Sequence, residues 1–174
     1  MSDKVQNLMR QPSSKKEEQE FGLGKKDFVM CPDCNAVYYY KSWHHGLEGA
    51  VRDQLPEEFA DHDATFETCP TCQMKKDGVY EGEVIIKLGR PAEEYKGEIL
   101  KAIRNSNEQA QDRDVMDEVL KIDDRGSEIH VYTSENQLAV KIGKKLDSAF
   151  KGGRLEIKYS KGEDTARVIW EKFN

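Results

Sequence analysis

The sequence predicts an α+β fold, in which a four-cysteine module precedes a small mixed sheet with helices packed on one face. Three observations carry this expectation. Two Cys-x-x-Cys pairs, Cys31/Cys34 and Cys69/Cys72, flank residues 35–68. Beyond residue 82, apolar residues recur with period two in several short runs. Between those runs, apolar stripes recur at spacings of three and four, as on one face of a helix. The 174 residues suffice for one ordinary domain or two small ones. We expect a flexible tail at 1–27, the cysteine module at 28–82 and the α+β domain at 83–174.

The tail reading rests on composition: Gln11 to Glu18 is polar and mixed in charge, with nothing to bury. After the first cysteine pair, Val37-Tyr38-Tyr39-Tyr40 reads as a short strand. Gly46 to Phe59 reads as a helix, with Leu47, Ala50, Val51, Leu55 and Phe59 near one face and Glu48, Asp53, Glu57 and Glu58 on the other. Pro56 ends or kinks it.

In the third segment, Val84, Ile86 and Leu88 alternate with Glu83, Ile85 and Lys87 to give a strand. Pro91 suits a first helical turn, and Tyr95, Ile99 and Ile103 form the stripe of the helix behind it. Asn105 to Asp114 is a polar stretch leading to a short helix with Met116, Val119 and Leu120. Ile129, Val131 and Thr133 make the next strand. Ser134 and Gln137 have capping-box spacing, opening a helix with Leu138, Ile142, Leu146 and Ala149 inward and ending at Gly152-Gly153. Leu155, Ile157 and Tyr159, then Ala166, Val168 and Trp170, line two final strands around a turn at 161–164. One sheet covered by helices on a single face accommodates this order.

Composition bounds the function. The net charge is −6, but residues 28–127 carry 12 basic and 21 acidic groups while residues 128–174 carry nine and seven. A nucleic-acid role therefore needs a local patch, and the C-terminal third is the place for one. No apolar run approaches the roughly 20 residues that span a bilayer, and Met1–Glu20 has no hydrophobic segment of a secretory leader. These features lead us to expect a soluble, cytoplasmic protein with reduced cysteines.

Cys31-Pro32-Asp33-Cys34 and Cys69-Pro70-Thr71-Cys72 have the form of two metal knuckles. Two such pairs close a tetrahedral Cys₄ shell with no open position, the mark of structural zinc. The expected module is thus a Cys₄ zinc ribbon with Zn as its cofactor. A rubredoxin-like iron site uses the same ligands and is the serious rival. Asn35 and Gln73, each following a second cysteine, stand where a left-handed backbone is common; Asn tolerates it, whereas Gln there implies strain. His44, His45 and His62 read as surface or packing residues, since the four cysteines already complete the shell. Asp61, His62 and Asp63 read as a solvated acidic loop.

No phosphate-binding loop, nucleophile elbow or His-Glu-x-x-His helix is present. Gly22-Leu23-Gly24-Lys25-Lys26 lacks the spacing and the preceding strand of a phosphate loop. A closed Cys₄ shell offers no position for a reactive water, so we expect no enzymatic activity. The candidate binding residues are basic: Lys141, Lys144, Lys145, Lys151, Arg154 and Lys158, which suit phosphates. The sheet face opposite the helices is expected to present His130, Tyr132, Arg154, Lys158 and Arg167 for stacking and charge. On the plainer reading, Glu128, Glu156 and Glu171 share that face and pair with those cations.

Residues 129–171, with Val131-Tyr132-Thr133, Leu138-Ala139-Val140-Lys141-Ile142, Lys145-Leu146, Ala149-Phe150-Lys151-Gly152-Gly153 and Arg167-Val168, resemble the archaeal and eukaryotic adaptor family for large-ribosomal-subunit export and maturation. The paired knuckles and Tyr80-Glu81-Gly82-Glu83-Val84 are similar to the N-terminal portion of that family. The chain differs in having one pair of knuckles where eukaryotic members carry more cysteines, and in lacking their long C-terminal extensions and export signals. The resemblance implies binding to ribosomal RNA or the large ribosomal subunit, in a small prokaryotic relative. Two other expectations stand beside it: a protein–protein adaptor using the acidic helix at 47–59 and the sheet, and a small iron electron carrier.

Overall fold

The computed structural model describes residues 29–39, 41–45, 65–160 and 165–173. The tail at 1–27, the helix expected at 46–59, His62 with its acidic neighbours, and the turn at 161–164 lie outside these residues.

The fold is α+β, as the sequence predicts. In the N-terminal part, β1 (Val29–Met30), β2 (Val37–Tyr39), β3 (Ser42–His44) and β4 (Thr65–Phe66) form a small sheet in the order β3-β2-β1-β4. The antiparallel β1–β2 and β2–β3 pairs form a meander, whereas β1 and β4 run parallel, with Val29 opposite Thr65 and Met30 opposite Phe66. Helix α1 (Pro70–Asp77) follows and stops at Gly78, whose φ of 68° is the left-handed turn that glycine adopts freely.

The second sheet contains β5 (Gly82–Leu88), β6 (Val119–Asp124), β7 (Glu128–Thr133), β8 (Arg154–Tyr159) and β9 (Ala166–Lys172), in the order β6-β7-β5-β9-β8. Only β5 and β9 pair in parallel; the other neighbours are antiparallel. After β5, a 3₁₀ turn at Arg90–Tyr95 leads directly into α2 (Lys96–Gln111), and α3 (Asn136–Ala149) joins β7 to β8. Val84, Ile86, Ile129, Val131, Val168 and Trp170 from the sheet bury their side chains against Ile99 and Ile103 of α2 and Leu138, Ile142 and Leu146 of α3. Alternation along each strand leaves the other sheet face free of helices. Among the described residues, no helix is long and apolar enough to cross a membrane.

The helix expected around Met116, Val119 and Leu120 is instead a turn followed by the edge strand β6. Val119 and Ile122 are β-branched and pair with β7, and that cross-strand pairing overrides the helical spacing. The polar stretch from Asn105 is the last part of α2. Its polar groups are satisfied locally: the Ser106 hydroxyl donates to the Ala102 carbonyl at 2.8 Å, and Asn107 donates to the Gln111 side chain at 2.9 Å.

The Ser134–Gln137 capping box does not form. Glu135 holds the cap position of α3 without a side-chain bond. The Ser134 hydroxyl accepts from the Glu118 N–H at 2.8 Å, tying the loop before β6 to the end of β7. Ala149 is exposed, and Phe150 fills the core in its place; Tyr159, expected inward, is exposed on the edge strand.

Gly143 brings α3 close to the sheet. A Cβ there would stand 2.4 Å from Val168 Cγ1 and 3.0 Å from Leu155 Cδ1. Gly143→Ala is expected to lose about 1–3 kcal/mol to overpacking, partly offset by the roughly 1 kcal/mol helix preference of Ala. Urea denaturation, read as a lower midpoint at unchanged slope, checks the net destabilisation.

Candidate metal centre

Parallel pairing of β1 with β4 brings the knuckles together, because each strand runs directly toward its own cysteine pair. Cys31 follows β1 and Cys69 lies three residues beyond β4. The Sγ atoms of Cys31, Cys34, Cys69 and Cys72 all lie within 4.8 Å of one another. Cys34 Sγ and Cys69 Sγ are 3.7 Å apart, close to the roughly 3.8 Å tetrahedron edge implied by metal–sulfur bonds of about 2.3 Å. Three sulfurs are buried and Cys34 is exposed. The donor set and spacing fit one tetrahedral ion. Among the described residues, no histidine or carboxylate belongs to the cluster.

The two knuckles differ in form. In the first, Asn35 takes the left-handed backbone at φ 61° and donates its N–H to the Cys31 carbonyl at 2.9 Å. The second is the start of a helix. Cys69 is the N-cap of α1, its sulfur accepting the Cys72 N–H at 3.4 Å, with Pro70 in the first turn. Gln73 therefore lies inside α1 and donates its N–H to the Cys69 carbonyl, so the expected strain does not arise. The Cys69 N–H in turn points at Cys31 Sγ, 3.3 Å away.

Burial pushes the Cys69 thiol up to about 11 and the Cys72 thiol higher still. Burial acts the same way on Cys31, but hydrogen bonds from the backbone at Cys69, Cys34 and Asp33 bring it down to about 7. Four clustered sulfurs of this kind call for a compensating cation. Positive charge also comes from the end of α1. Lys76 reaches Asp33 at 2.7 Å and the Thr68 hydroxyl at 3.1 Å, latching one knuckle to the other, and holds the Asp33 carboxyl below the usual range.

The centre is docked on the second sheet by residues that have no motif to mark them. The Thr71 hydroxyl donates to the Met116 carbonyl at 3.0 Å, while Val115 and Met116 pack against the cysteines. Lys75 pairs with Glu118 at 2.6 Å, and Gln111 donates to the same carboxylate at 3.1 Å. His45 Nε2 donates to the Gln111 carbonyl at 2.6 Å, a packing role of the kind expected for it.

The six basic candidates divide between two faces. Lys141, Lys144 and Lys145 form a ridge on α3 at i, i+3 and i+4. Arg113 lines the same concavity as Lys141 and Lys144. It also holds Asp117, whose carboxyl is raised by burial and by Glu135 and Asp114. Lys151 is exposed just beyond α3. Arg154 and Lys158 lie on β8, an edge strand, where exposed cations discourage pairing with another chain.

On the helix-free face, register places Tyr132, Glu83, Arg167 and Lys158 in one row and His130, Ile85, Ile169 and Glu156 in the next. Glu83 is only 6% exposed; it accepts from Arg167 Nε at 2.8 Å and lies 3.2 Å from His130 Nδ1. Lys87 pairs with Glu171 and Lys158 with Glu156. Much of this charge is thus matched within the face, though by other pairs than the plainer reading names: Glu83 rather than Glu128, Glu156 or Glu171 takes Arg167, and Lys158 pairs along its own strand.

Removing the ion with a chelator is expected to abolish amide protection in residues 29–39 and 70–78 and weaken it in residues 112–119. Protection in β5, β7 and β9 should persist, because their core is separate. Hydrogen exchange followed by mass spectrometry makes the comparison; loss of protection throughout the sheet would mean one cooperative unit. Cys69→Ser should give the same pattern.

No family model matches the chain, and no curated protein matches it.

Proposed function

We propose that the protein is a non-enzymatic zinc protein that binds RNA, with ribosomal RNA of the large subunit as its target. Zinc suits a closed, all-thiolate shell, and such a shell serves to hold a fold in place. The observation that carries RNA binding is the α3 ridge. Lys141, Lys144 and Lys145 share one side of the helix; Lys144 and Lys145 have no ion pair with another described residue, whereas Lys141 feels the Asp117 carboxylate beside it. A cation without an internal partner is available to a phosphate, whereas the paired Lys87 and Lys158 are already engaged. Lys151 and Arg154, also without ion pairs among the described residues, extend the positive charge past the end of the helix. The ribosomal target rests on the family resemblance of residues 129–171.

The expected outcome is co-sedimentation with large ribosomal subunits that weakens as salt rises. Replacing Lys141, Lys144 and Lys145 by Glu should lower affinity by tenfold or more and reduce the log–log salt slope by roughly 2 to 3. Absence of co-sedimentation, together with no RNA recovered after crosslinking, would end this reading. A protein partner that survives nuclease treatment would favour an adaptor instead. Elemental analysis should return about one zinc per chain; stoichiometric iron with a red colour that bleaches on reduction would favour the electron carrier.

A further inference from the structure

Between α1 and the helix-free face of the second sheet lies a groove used by neither the cysteines nor the lysine ridge. Its volume is about 370 Å³, near the lower end of the roughly 300–1,000 Å³ usual for small-ligand sites. Met74, Val79 and Leu120 line it with apolar surface, and Val79 is 55% exposed. Tyr80 and Tyr132 meet there with ring centroids 4.7 Å apart and planes inclined by 52°. His130 stacks on Tyr132 at 6.3 Å.

Lys75, Lys121 and Arg125 also line the groove, against one acid, Asp123. Arg125 is held by Asp123 at 2.7 Å and Lys75 by Glu118 at 2.6 Å. Lys121 is exposed and has no ion-pair partner among the described residues. The lining thus joins aromatic faces, an apolar patch and one cation without an ion pair, Lys121, within one recess.

We propose that this groove binds a short stretch of single-stranded RNA, with a base stacked on the Tyr80–Tyr132 pair and an adjoining phosphate at Lys121. The inference rests on the RNA-binding reading above and extends it to a second surface. Charge complementarity selects the ligand. An acidic peptide would satisfy Lys121 and leave the rings and the apolar patch unused. An apolar peptide would leave Lys121 unmatched. An unpaired nucleotide uses both, since every base has a face to stack and every linkage carries a negative charge. A duplex keeps its bases stacked inside and cannot offer a face to a recess of this size.

The test uses the full chain loaded with zinc and two labelled probes: a single-stranded RNA of roughly ten nucleotides, within the usual site size for such surfaces, and the duplex of the same sequence. Tyr80→Leu should weaken single-strand binding by about tenfold or more and leave zinc content and circular dichroism unchanged. Lys121→Glu should weaken it and lower the salt slope by about 1.

Ultraviolet crosslinking of the unaltered chain provides a readout that needs no variant. Crosslinked nucleotides are expected on the tryptic peptide 77–87, at Tyr80, and within 126–141 at Tyr132 rather than at its α3 residues 136–141. Crosslinks confined to α3, or equal single-strand affinity in Tyr80→Leu, would overturn the groove and leave the lysine ridge standing. No binding of either probe by the unaltered chain would overturn both.

Discussion

Four sulfurs within 4.8 Å of one another are the constraint on which the N-terminal half of this structure depends. Among the described residues of that half, the buried hydrophobic ones beyond the cysteines are Ala36 and Val37, with Trp43 partly covered. By itself that cluster is too small to offset the conformational entropy of ordering those residues, and a metal ion at the cysteines would supply the difference. The same sulfurs set the local geometry. Cys69 is both a member of the cluster and the N-cap of α1, so a residue placed to bind an ion also starts the helix.

The second sheet has different support. Its core is continuous from β5 through β7 and β9 to both helices, with Trp170, Ile86, Ile99, Ile103 and Leu146 fully enclosed. The link between the halves is a short segment, residues 112–119. Its backbone accepts from Thr71, its Glu118 carboxylate is shared by Lys75 and Gln111, and its end is pinned by Ser134. These contacts are polar and directional, so they fix the placement of α1 more than they add stability.

The cysteine cluster and most strands are legible in the sequence because each is a local pattern. A cysteine pair two residues apart, or Val84, Ile86 and Leu88 at alternate positions, announces itself within a few residues. The segment from Met116 to Leu120 does not, since its spacing suits a helix while its partners lie elsewhere. Met116 turns to the cysteines, Val119 to the sheet core and Leu120 to the groove beside α1. Ser134 has the right spacing for a cap, but a backbone 16 residues earlier in the chain takes its hydroxyl. The basic residues are legible as a set, whereas their separation onto a helix ridge and a sheet edge follows only from the topology.

Helix α1 lies alongside β6, and β6 is the outermost strand of its sheet. An outermost strand offers unpaired N–H and carbonyl groups to any extended chain that meets it. The opposite edge, β8, guards itself with exposed Arg154, Lys158 and Glu156. On the β6 side that guard is a neighbouring element whose own fold hangs on four thiolates. An ion held by the cysteines would therefore help keep the molecule from sticking to its copies, a duty discharged some distance from the sulfurs.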